Sequence, residues 1–125
     1  MLHASIVLFL EGDRSPRDFG NEIKSEVAAC VDGCHKHGSG FIFVEDGPEF
    51  AVTREHAARL LTAVKDGQLA FDAANYLADG LIMGEGFYFA DDEVADAIHF
   101  LADDSSVPNE SELVAAFQAL QLNGS

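Results

Sequence analysis

No lysine or arginine follows Lys65, so the last 60 residues of this 125-residue chain hold twelve Asp and Glu with no cation to offset them. All seven basic side chains (Arg14, Arg17, Lys24, Lys36, Arg54, Arg59 and Lys65) lie before that point, beside ten acidic ones. The two parts therefore carry −3 and −12, which together make the net charge of −15. A chain so poor in cations has little with which to replace the counterions of nucleic acid or of an anionic lipid surface, and direct contact with either is not expected. Cysteine is nearly absent as well. The two present, Cys30 and Cys34, do not make the disulfide framework of a small secreted domain.

Long apolar runs are missing too. The Ile6–Leu10 stretch has five residues, no Lys or Arg before it and Glu11-Gly12-Asp13 after it. That is too short for the core of a signal peptide and far too short to span a bilayer. A cytoplasmic protein without a membrane segment is the expectation. Apolar material itself is plentiful: 48 % of residues are hydrophobic and ten are Phe. This excludes a disordered acidic tail and predicts one globular domain over residues 1–125.

Hydrophobic patterning predicts an α+β fold, a small three- to four-stranded sheet packed by about five helices, with the helices weighted to the C-terminal half. Ser5–Leu10 reads as a buried strand, Phe41–Val44 as a second and Phe50–Val52 as a short third. Phe87–Phe89 reads as a small edge strand or an aromatic plug. Ser15-Pro16-Arg17-Asp18 reads as a helix start, and the helix it opens carries Phe19, Ile23, Val27, Cys30 and Cys34 on one stripe and ends within Gly33–Gly40. Thr53 caps a second helix that stops at Gly67. A third runs from Leu69 to Met83, a fourth starts at Asp91 or Asp92, and Asn109 with Glu112 opens the last.

Few residues are spaced for catalysis. Cys30, Cys34, His35 and His37 are four metal-ligand types within eight residues. Their spacing is not that of a zinc hairpin, and both cysteines fall on the apolar stripe, where a thiol serves as a small hydrophobe. Cys34 and His35 are neighbours on a helix and point about 100° apart, which separates a nucleophile from its base. Asp92, Asp96, His99 and Asp103 share one helical face, a pattern that suits a solvated surface better than a cation site. No catalytic residue, metal ligand or cofactor is assigned. A metal-binding or enzymatic domain built on Cys30, Cys34, His35 and His37 is the alternative reading, and an acidic mimic of nucleic acid that occupies a DNA-binding protein is another.

What remains is a surface. Acidic residues after Asp66 lie near aromatics, an arrangement that suits fast, tight association with a basic protein. Asp72, Tyr76, Asp79, Asp92, Asp96 and Asp103 are the expected partner-binding residues. Within Phe50–Asp104, the segments Phe50-Ala51-Val52-Thr53-Arg54-Glu55, Tyr76-Leu77-Ala78-Asp79-Gly80-Leu81-Ile82 and Phe87-Tyr88-Phe89-Ala90-Asp91-Asp92-Glu93-Val94 resemble small acidic immunity proteins of bacterial toxin systems, those of contact-dependent growth inhibition in particular. The resemblance implies a non-enzymatic inhibitor that binds and neutralises a cognate basic toxin, such as a nuclease domain, in the cytoplasm.

Overall fold

The computed structural model describes residues 1–37 and 42–120, and side chains within those ranges except at 34–37. Six helices and one pair of strands appear among the described residues: α1 (His3–Leu10), α2 (Pro16–His37), β1 (Phe50–Val52), α3 (Arg54–Lys65), α4 (Phe71–Met83), β2 (Phe87–Phe89), α5 (Asp92–Ala102) and α6 (Glu110–Ala119). The expected sheet of three to four strands is therefore replaced by a helical fold with a two-stranded ribbon.

Two of the expected strands account for the difference. Ser5–Leu10 lies within helix α1, whose buried residues Ser5, Ile6, Phe9 and Leu10 repeat four apart, as one helical face requires. Polar bonds seat it on α2. Ser5 Oγ donates to Glu22 Oε2, and Arg14 bridges both, reaching Ser5 Oγ at 3.1 Å and Glu22 Oε1 on its other side. Phe41 lies outside the described residues, and 42–44 pair with no strand among the described residues. Their backbone is held by other groups. The Met1 amino group donates to Phe43 O and to Glu26 Oε1, each at 2.6 Å, and Glu45 N donates to Met1 O at 2.9 Å. Phe43 N donates to the Tyr76 hydroxyl at 3.2 Å.

The third expected strand is present as β1, and Phe87–Phe89 forms a strand beside it, β2. They run parallel in the register Phe50↔Phe87, Ala51↔Tyr88, Val52↔Phe89. A parallel pair needs a long crossover, here supplied by α3 and α4.

Local capping chemistry sets the helix boundaries. Ser15 Oγ accepts from Asp18 N at 3.1 Å, and Asp91 accepts from Val94 N at 3.0 Å. Thr53 and Asn109 each open a capping box, closed by His56 and Glu112 respectively. After α3 the chain turns at Gly67, whose φ of +72° is natural only to a residue without a side chain. Gly12, at φ +86°, does the same between α1 and α2, beneath the Arg59 guanidinium that donates to Leu10 O.

One core unites the elements. Phe9 and Phe19 stack with centroids 4.7 Å apart, and Ile23, Leu60, Leu61, Leu77, Leu81, Ile98 and Leu101 join them in one buried cluster from α2, α3, α4 and α5. Each such side chain contributes on the order of 1.5–3 kcal/mol by leaving water. Cys30 is half-buried and packs against this core on the stripe begun by Phe19, Ile23 and Val27.

Candidate functional site

Among the described residues, no buried side-chain nitrogen or oxygen lacks a hydrogen-bond partner. The described interior thus holds no polar group left waiting for a ligand, and attention turns to the surface. No group of three or more described His, Cys, Asp or Glu converges on a point that could hold a metal ion. The side chains of Cys34, His35 and His37 lie outside the described residues.

The acidic half offers an open concavity between its last two described helices. Helix α6 packs chiefly on α3 and only lightly on α5, which leaves an open groove of about 430 Å³ between α5 and α6. Glu93, Asp96, Ala97 and Phe100 line it from α5; Glu112, Ala115, Ala116 and Ala119 line it from α6. Both sets follow helical spacing of three, four and seven, so each wall is a single face of its helix. The floor is apolar and low because four of its residues are alanines. The rim is acidic, with Asp96 and Glu112 exposed on opposite walls.

The walls are positioned by a shared cation. Arg54, at the start of α3, donates through Nε to Asp91 Oδ2 at 2.8 Å and through Nη1 to Leu120 O at 2.7 Å. It thereby ties the N-cap of α5 to the C-terminus of α6. Its Nη2 reaches Glu93 Oε2 at 3.3 Å. The hydrogen bond from Arg54, followed by that from Val94 N, holds the Asp91 carboxyl below its ordinary value, and the bond to Asp91 raises the guanidinium in turn. At the far end of α6, Glu112 Oε1 accepts from Asn109 N at 3.1 Å, which fixes that rim residue against its own helix start.

The six residues expected to bind a partner do not share one surface. Asp96 lines the α5–α6 groove, and Asp92 is exposed one turn before it. Asp72 lies instead in a separate groove of about 590 Å³, opposite Arg17 and Lys24 of α2. Asp79 is half-buried on α4, where burial, reinforced by the charge of Asp104, pushes its carboxyl upward. Asp103 follows α5, its carboxyl lowered by the bond it accepts from Ser105 N at 3.0 Å. Tyr76 is only 4 % exposed. Its hydroxyl accepts from Phe43 N and donates to Glu26 Oε1 at 3.4 Å, and burial raises its pKa above the ordinary value. Tyr76 is thus an interior strut, and Phe100 is an aromatic that lines the groove with Asp96 and Glu112.

No family model, curated protein or solved structure matches the chain. The site is therefore read from its own geometry. Sequence reasoning missed the groove itself, although Ala97 with Ala115, Ala116 and Ala119, each within a turn or two of an acid, was a visible signal.

Proposed function

We propose that this chain is a non-enzymatic, acidic binding protein for a basic protein partner. Its most concrete form is a cytoplasmic inhibitor that neutralises a basic toxin such as a nuclease domain. One observation carries the reading. Of the twelve acidic residues after Lys65, Asp66 has Lys65 within reach, and Asp91 and Glu93 share Arg54. The other nine have no cationic partner among the described residues.

Carboxylates left in that state repel one another and lower the stability of the free protein. A basic partner removes the repulsion on binding, and the field that opposes the free fold becomes the field that steers the complex together. Exposure of Asp92 and Asp96 on α5 makes them suitable first contacts. The partner's charge would chiefly set the association rate, while apolar contacts inside the ring of acids would set the lifetime. No described helix is long and apolar enough to cross a membrane.

The test is reconstitution from purified components. A basic protein captured at low salt and identified by mass spectrometry is mixed with the chain, and association is followed by stopped flow across a salt series. The expected result is a one-to-one complex whose on-rate falls steeply with salt and falls again for the double variant Asp92→Lys, Asp96→Lys. A complex indifferent to both salt and the double variant would overturn the assignment.

A further inference from the structure

We propose that the α5–α6 groove is the docking site for one amphipathic helix of that basic partner, a proposal that rests on the acidic-binder reading and names the surface it uses. The argument starts from dimensions. Glu93 to Phe100 and Glu112 to Ala119 each cover seven residue-to-residue steps, so the walls run for about 10 Å at 1.5 Å per step, or two helical turns. An incoming helix can lay two turns along such a groove and insert side chains at positions i, i+4 and i+7.

The alanine floor gives room for that insertion. Ala97, Ala115, Ala116 and Ala119 carry no side chain beyond Cβ, so large aliphatic side chains from outside can reach the helix surfaces beside Phe100. The rim then selects the occupant by charge. Asp96 and Glu112 stand on opposite walls without a cationic partner among the described residues, whereas Glu93 already meets Arg54. Lysine or arginine flanking the apolar stripe of an incoming helix would meet one carboxylate on each side.

The same charges disfavour other occupants. A second copy of this chain brings its own net charge of −15 to the contact. An anionic lipid or fatty acid would set a carboxylate or phosphate against the rim. A neutral apolar ligand would gain the floor but leave both acids unused.

The probe is a synthetic helical peptide of leucine and lysine, about 14 residues or four turns long. It is compared with a rearranged peptide of the same composition that cannot present one apolar face, and with a neutral leucine–glutamine helix. Binding is measured by titration calorimetry, and the site is mapped by amide shifts in 15N-labelled protein. The amphipathic basic helix should bind at least about tenfold more tightly than either control, a difference of about 1.4 kcal/mol. Its largest shifts should fall at Ala97, Phe100, Ala116 and Ala119.

Ala116→Trp fills the floor and should abolish that preference. Asp96→Lys, at an exposed position on α5, should weaken the basic helix about tenfold while leaving the neutral helix unchanged. If the two basic peptides bind equally and shifts spread over α4 and α5, the groove is not the site, although acidic binding stands. If neither basic peptide binds at low salt, both readings fall. Equal binding of the neutral helix, or self-association through the groove, would overturn the choice of occupant.

Discussion

Arg54 Nε lies 2.8 Å from Asp91 Oδ2, while the other oxygen of that carboxylate caps α5 by accepting from Val94 N. One carboxylate thus serves a cation from α3 and the first turn of α5 together. The groove between α5 and α6 depends on that junction, because the same guanidinium also holds Leu120 O.

The pH dependence of this junction has a definite sign. The Asp91 carboxyl is lowered on folding, so its contribution is fully present above the ordinary value near 3.9 and is lost as pH falls through the depressed folded value. Replacing Arg54 with Met removes the leading cause of the shift. Urea denaturation from neutral pH down to pH ~2 should show a less stable variant at neutral pH, with the difference narrowing as Asp91 becomes protonated in both proteins and the part due to the Arg54–Leu120 O bond remaining. An NMR titration should place Asp91 higher in the variant.

Asp79 should behave in the opposite sense. Its carboxyl is raised by burial and by Asp104, so the ionised form costs stability above the raised folded value, and that cost disappears below the unfolded one. Asp79→Asn should therefore stabilise the protein at neutral pH and lose its advantage in acid. Denaturation midpoints measured at the two ends of that range check both halves of the statement.

The cap of α6 can be tested independently. Asn109→Ala deletes the acceptor for Glu112 N, a bond of 2.9 Å, and should cost about 1 kcal/mol. Asn109→Ser restores an acceptor and should recover most of the loss. Because α6 buries little of its surface, with Leu113 its buried residue, exchange of its amides should quicken more than that of α4.

Tyr76→Phe separates an interior role from a binding role. The hydroxyl satisfies Phe43 N and contacts Glu26, so its removal should cost about 1 kcal/mol of stability. Affinity for a basic partner should stay unchanged. A loss of binding with stability intact would return Tyr76 to the contact surface.

Helix starts were legible because they are local chemistry: Ser15, Thr53, Asp91 and Asn109 each bond to a backbone amide within three residues. The identity of α1 was not. An unbroken run from Ile6 to Leu10 has neither the alternation of a half-buried strand nor the polar face of a surface helix, and strand and buried helix then look alike. What decides between them is Ser5 meeting Glu22 and Arg14, groups nine to seventeen positions away. Of the residues expected to bind a partner, acidity and exposure were readable for Asp92 and Asp96. Burial of Tyr76 was not, since it depends on the 42–44 segment folding over α4. The groove was hidden for a similar reason, because it exists only where α6 leans toward α3.

The strand pair has a kinetic consequence. Phe50 and Phe87 meet across 37 positions, and the ribbon they anchor has three residues on each side, too few to persist alone in water. Closing that loop carries an entropy cost that only the packed helices can offset. The ribbon's cross-strand bonds, Phe50 N to Gly86 O and Ala90 N to Val52 O, are thus expected to form only once α3 and α4 have docked. They register completed folding, and a chain halted before that step would have its helices and lack its seam.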